Sequence, residues 1–239
     1  MSPLSHALRY ASLGHPVVPQ RGKLPITRLV PHGVLDASTD PEVIRRWFRQ
    51  VPDADIGLAA KNFLAIDIDA RSGGLGQMAE LTKTYGRFPR TPVQKSGGGG
   101  YHYLFANPDF PVIGKLGRGI DVITGNRMIT VSPTVHPSGV AYRWLVPPTE
   151  PLAPVPDWLA KIIRRIDVPK PAIDFKIPAD VVERARAYLA QVDPAISGSG
   201  GHQQTFYACQ VLVRGFALDD HNALPLLTEW NARCCPPWE

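Results

Sequence analysis

The chain has 239 residues, 44% hydrophobic and 20% charged, with 26 Lys and Arg against 21 Asp and Glu for a formal charge of +5. That length can bury one large core or two smaller ones, and no apolar run approaches the roughly 20 residues that cross a bilayer. The basic balance favours a polyanionic partner only where it surrounds a site, and the three cysteines, two of them adjacent, form neither a disulfide framework nor a zinc spacing.

The N-terminus lacks a basic stretch followed by an apolar one, so no signal peptide is expected and the compartment reads as cytoplasmic. Leu4, Ala7, Leu8 and Ala11 recur at helical spacing and predict a helix from Pro3 to Leu13, which Gly14 can end. HPVVPQRGKLPITRLVPHGV is too rich in proline for a helix and reads as strands and loops. In ASTDPEVIRRWF, Thr39 and Glu42 have capping-box spacing, Pro41 suits a first turn, and Val43, Ile44, Trp47 and Phe48 make an apolar face.

IGLAAKNFLAIDIDA predicts two short strands joined at Lys61 and Asn62, followed by a helix from about Gly76 to Tyr85. PVQKSGGGGYHYLF reads as strand, glycine turn and strand, and GIDVITGNRMITVSPTVHPSGVAYRWL as further strands with turns at Gly125-Asn126 and Pro137-Ser138-Gly139. A short amphipathic helix (Asp157 to Arg165) sits between two proline-rich stretches, and helical patterns dominate beyond Pro178. Strands with interspersed helices, then helices alone, predict an α+β domain over residues 1–166, a linker over 167–178 and a small all-α domain over 179–239.

Side chains alternate along a strand, so in FLAIDIDA the residues Phe63, Ala65, Asp67 and Asp69 share one side and Leu64, Ile66 and Ile68 the other. Adjacent carboxylates on an otherwise apolar strand repel unless a cation neutralises them, and hard oxygen donors suit Mg²⁺ or Mn²⁺. A strand running out into solvent would explain the same pair. Asp121, flanked by Ile120 and Val122, is a second acid interrupting a buried-looking strand. Three carboxylates holding two metals can serve in-line phosphoryl transfer, although Asp121 could equally pair with Lys115 or Arg118. KSGGGGYHYLF adds glycines that let backbone N–H groups approach a phosphate, with Lys95 and His102 beside them. It is not a Walker A loop, and a simple hairpin turn is the plainer alternative.

Taken in order, these segments resemble the prim-pol (primase–polymerase) domains of the archaeo-eukaryotic primase superfamily, over most of residues 1–145. The resemblance rests on HPVVPQRGKLP, HGVLDASTDPEVIRRWF with IGLA after it, LAIDID, SGGGGYHYLF, and GIDVITGN running into VSPTVHPSG. It implies a catalytic core with an RNA-recognition-motif-like mixed sheet, and Asp67, Asp69 and Asp121 as metal ligands for two Mg²⁺ or Mn²⁺ ions; no Cys/His cluster matches the zinc-binding stem of some relatives, so no structural zinc is expected. It further implies that His102 contacts the nucleotide's phosphates, with Lys95 and Ser96 close by and Arg127 helping to hold the triphosphate. The glycine run is one or two residues longer than the commoner family pattern, which bears on whether Ser96 reaches the nucleotide.

The expected activity is template-directed primer synthesis and extension from NTP or dNTP on single-stranded DNA, in phage or plasmid replication. The expected rivals are a metal-dependent nuclease and a non-catalytic binder of single-stranded nucleic acid. SGSGGHQQTFYACQVLVRGFALDDHNALPLLTEWNARCCPPWE resembles the helical region that precedes helicase domains in such replication proteins, which implies a helicase region after residue 239. His202 and Arg214 are candidate contacts to template or nucleotide there. No membrane partner is expected.

Overall fold

The computed structural model describes residues 2–166 and 178–238. The chain divides into two compact units, Met1–Val168 and Pro169–Glu239. The expected linker at 167–178 lies, apart from Pro178, outside the described residues.

The first unit opens with α1 (Pro3–Ser12), whose N-cap Ser2 accepts a hydrogen bond from the Ser5 N–H. Ala7, Tyr10 and Ala11 form its buried stripe, the i, i+3, i+4 pattern of an amphipathic helix. β1 (Val17–Arg21) and β2 (Leu24–Pro25) form a hairpin. A 3₁₀ turn (Gly33–Asp36) precedes α2 (Pro41–Gln50). The cap of α2 is Asp40, whose carboxylate accepts from the Glu42 N–H at 2.8 Å, one residue later than the Thr39 capping box the sequence suggests. Pro41 at the first helical position fits that later start.

β3 (Asp55–Ala59) and β9 (Met128–Thr130) complete a four-stranded sheet in the order β2-β1-β3-β9. The other sheet has six strands: β4 (Leu64–Ile68), β5 (Val93–Lys95), β6 (Tyr101–Phe105), β7 (Lys115–Gly117), β8 (Ile120–Ile123) and β10 (Arg143–Val146). Their order is β10-β5-β6-β4-β8-β7. The expectation of a mixed sheet is corrected here. Every ladder between named strands is antiparallel, and tight turns such as those joining β5 to β6 and β7 to β8 impose that direction.

Alternation on β4 divides the interior. Ala65 faces a core shared with Val18, Ile56 and Leu58 of the four-stranded sheet and with Ile44, Trp47 and Phe48 of α2. Leu64, Ile66 and Ile68 face a second core, closed by Leu159 and Ile163 of α4 (Asp157–Ile163) and by Met78 and Leu81 of α3 (Gly74–Tyr85). β4 therefore packs on both faces, with Asp67 its one half-buried residue, and each large side chain buried there contributes about 1.5–3 kcal/mol. The start of α3 lies against the β7–β8 hairpin. A Cβ on Gly74 would come 2.2 Å from the Gly119 carbonyl oxygen and 2.8 Å from that of Asp69, so only glycine lets the helix approach there.

The second unit is helical: α5 (Ala179–Ala190), α6 (Gly201–Gln210) continuing into a π-helical turn (Val211–Gly215), and α7 (Asp220–Asn231). Leu189, Leu212, Leu226 and Trp230 form its core, and the Trp230 indole N–H donates to the Val192 carbonyl at 3.1 Å. Arg233 donates to the carbonyls of Leu189, Ala190 and Val192, satisfying the open C-terminal end of α5. His202, near the start of α6, and Arg214, in the π turn, are both exposed. No helix among the described residues is long and apolar enough to cross a membrane.

Candidate active site

Strand register assembles the central cluster. Asp67 of β4 pairs directly with Asp121 of β8 on one side and with His102 of β6 on the other. Beyond His102 the same row continues to Gln94 of β5, and beyond Asp121 to Lys115 of β7. Directly opposed residues share a face of the sheet, so Lys115, Asp121, Asp67, His102 and Gln94 lie in one line across five strands. The polar residues break an apolar pattern at the same level on successive strands.

His102 is buried, and its Nε2 lies 3.2 Å from Asp67 Oδ1. Its other ring nitrogen, Nδ1, meets the side-chain amide of fully buried Gln94 at 2.8 Å. Asp67 and Asp121 are half-buried. Among the described residues, no lysine or arginine makes an ion pair with either acid, although Lys115 stands opposite Asp121. Like charges opposed on neighbouring strands are locally unfavourable. A hard divalent cation would relieve that repulsion, and the oxygen donors of Asp67 and Asp121 fit one.

Asp69 is placed differently. It lies one residue beyond β4, where its N–H donates to the Gly119 carbonyl at 2.8 Å. Its carboxylate turns back on the following loop, accepting from the Arg71 N–H and from the Ser72 hydroxyl, each at 2.9 Å. Partial burial works against its charged form, but the Ser72 hydroxyl, the Arg71 N–H and the Arg71 charge outweigh it and hold the carboxyl below the usual range. Among the described residues, no three acidic, histidine or cysteine side chains are gathered as a metal-ligand set.

The glycine turn is a closed structure. Ser96 and Gly100 exchange backbone and side-chain hydrogen bonds, with the Gly100 N–H donating to Ser96 Oγ at 3.0 Å and the Ser96 N–H to the Gly100 carbonyl at 2.9 Å. A Cβ on Gly100 would come 2.0 Å from the Ile68 carbonyl oxygen. The glycine there lets the turn lie against the end of β4, next to the acids. Lys95 falls in the neighbouring row, opposite Tyr101 and Arg143, and so faces away from His102. Lys95, Arg143 and Ser96 line a cavity of about 700 Å³ with Tyr142 at its wall. Arg127 donates to the carbonyls of Val122 at 2.8 Å and Gly114 at 3.4 Å, bracing the backbone beside β8.

Sequence reasoning did not single out Gln94, Tyr142, His136, Arg71 or Lys23. The Tyr142 ring lies 6.0 Å from His102 and 6.1 Å from His136. Burial, reinforced by the Asp67 charge, pushes its hydroxyl up to about 12. His136 accepts at Nδ1 from the Ser138 N–H at 3.1 Å, while the Ser138 hydroxyl donates to the Gly97 carbonyl at 2.8 Å. Burial first, then the charges of Lys23 and Arg71, lower its tendency to protonate. Lys23 has a left-handed backbone (φ 76°) in the β1–β2 turn, a conformation that a side chain other than glycine or asparagine rarely takes. For Gln94 the signal was available, since a polar side chain falls at a position where alternation points it between the sheets.

No curated protein is significantly similar to the chain. The family model for the N-terminal domain of bifunctional DNA primase/polymerases (Prim-Pol) matches residues 7–158, which include the row from Lys115 to Gln94, Asp69 and the glycine turn. The chain belongs to the bifunctional DNA primase/polymerase family.

Proposed function

We propose that the chain catalyses template-directed nucleotidyl transfer from NTP or dNTP on single-stranded DNA, making and extending primers in phage or plasmid replication. The observation that carries this reading is the direct alignment of Asp121, Asp67 and His102 on three neighbouring strands. In this arrangement two carboxylates stand beside a buried imidazole. Such a combination supports a site for a metal–triphosphate group.

In this reading Asp67 and Asp121 hold Mg²⁺ or Mn²⁺, and Asp69 joins them on leaving the Arg71–Ser72 turn. When bound, such ions supply a lowered pKa for an attacking hydroxyl and neutralise charge on the departing pyrophosphate. His102 orients the phosphates. Alignment and charge stabilisation do most of the work in phosphoryl transfer, so a rigid donor on a central strand suits the task. Lys95 and Arg143, on the other face, are better placed for a nucleic-acid backbone than for the same phosphates. A helicase partner belongs to the same proposal.

The test is incubation with unprimed single-stranded DNA, labelled nucleotides and either metal, beside an Asp67→Asn/Asp121→Asn control. Labelled products from the wild type alone are expected. Degradation of the DNA without synthesis would replace this reading by the nuclease, and no product with any nucleotide mix would end it. Removal of residues 170–239 is expected to abolish priming while sparing primer extension.

A further inference from the structure

The side-chain amide of Gln94 is held at both ends by backbone groups at the end of β9 and just after it. Its Oε1 accepts from the Ser132 N–H at 3.2 Å, and its Nε2 donates to the Thr130 carbonyl at 2.7 Å. A backbone N–H can only donate and a carbonyl can only accept, so the amide has one orientation and cannot flip. Thr130 is fixed in turn, because its hydroxyl oxygen accepts from Gln20 Nε2 of β1 at 2.8 Å. The remaining N–H of Gln94 Nε2 meets His102 Nδ1 at 2.8 Å, and that ring nitrogen must therefore be an acceptor. A neutral imidazole carries one proton. It sits on Nε2, facing Asp67 Oδ1 at 3.2 Å.

We propose that Gln94 is a positioning residue that locks His102 in the Nε2–H tautomer. The ring then presents only a donor to the reacting side. The opposite tautomer would turn an N–H against the Gln94 N–H and a lone pair against the Asp67 carboxylate, two repulsive contacts at once. With Nε2 protonated, the imidazole cannot serve as a metal ligand, and the donors left to a cation are oxygens. His102 can instead give its N–H to a phosphate oxygen. This last step rests on the nucleotidyl-transfer reading; the tautomer itself does not.

Two measurements on the full chain test the proposal. In the first, nitrogen-15 histidine NMR of the wild type, at about pH 8 where imidazole is ordinarily neutral, should show His102 protonated at Nε2 alone. The Gln94→Met variant, which keeps the shape and loses the donor, should show both tautomers. In the second, Gln94→Met should weaken binding of a nucleoside triphosphate by about three- to tenfold, the worth of one net hydrogen bond. In a His102→Ala background the same substitution should change binding no further, since Gln94 acts through that ring.

A wild-type His102 protonated at Nδ1 would overturn the proposal. So would effects of Gln94→Met and His102→Ala that multiply, which would mark Gln94 as structural only. The wild-type spectrum decides the tautomer even where the variant fails to fold. It also needs no nucleotide, so a protein that binds none would sink the polymerase reading and leave the lock to stand or fall on its own.

Discussion

Asp67 and Asp121 face each other directly across the β4–β8 ladder, two carboxylates in register with no ion-paired lysine or arginine among the described residues. Natural sheets seldom keep like charges so placed unless something else occupies the space between them. The repulsion is a local cost in the free protein, and it has a measurable sign.

Asp67→Asn and Asp121→Asn should each leave the metal-free protein as stable as the wild type or more so, by about 0.2–1 kcal/mol. Each should also lower primer extension by roughly 100-fold or more, since even outer-shell partners of metals commonly matter by 10–100-fold. Denaturant melts in a chelator, beside an extension assay, check both halves. A variant that is destabilised and still active would show that the pair has a structural role.

Asp69 has to give up the Ser72 hydroxyl and the Arg71 N–H before it can join a metal. Ser72→Ala removes one of these competitors. Apparent Mn²⁺ affinity should then rise by about two- to tenfold, the range of a single hydrogen bond. A manganese titration of the two proteins gives the answer. Weaker binding in the variant would mean that the hydroxyl supports the site rather than competing with it.

Lys95 and Arg143 are exposed cations directly opposite one another. Lys95→Ala/Arg143→Ala should weaken single-stranded DNA binding and flatten its salt dependence, each phosphate contact contributing a slope of about −0.7. His102→Ala should do the reverse, raising the nucleotide KM and leaving the salt slope unchanged. Equal effects of both variants on KM would place Lys95 at the triphosphate after all.

His15 is buried edge-on to Phe63, with Nδ1 lacking any partner. Burial lowers its tendency to protonate, and a bond with Asn62 only partly offsets that. The folded form therefore stays neutral below the pH at which the unfolded chain takes up a proton. Its stabilising effect is complete above about pH 6.5 and declines as pH falls through the lowered folded value, by at most about 1.4 kcal/mol per pH unit. Urea midpoints between about pH 8 and pH 5 should fall more steeply for the wild type than for His15→Phe.

The sequence by itself determined the local pieces. The alternation in FLAIDIDA sends Ala65 and Asp67 to one side of β4 and the three aliphatics to the other, as period-2 geometry requires. The helices α1 and α2 are legible because apolar spacing, and at α2 a first-turn proline, act over a single turn. The amino-acid order also carried the family, through motifs that lie in the matched residues.

Only the tertiary structure decided which of these pieces meet. That Lys95 and His102 face opposite ways depends on the register of β5 against β6, which the turn and both cores fix together. That the Asp69 carboxylate is held by the Arg71 N–H and the Ser72 hydroxyl depends on how the loop folds back just past the end of β4. The setting of His102 depends on Gln94, whose amide is oriented by backbone groups more than 30 residues further along the chain. Side-chain type is local information. Hydrogen-bond direction belongs to the packed interior, where burial leaves each polar group a single arrangement that satisfies it.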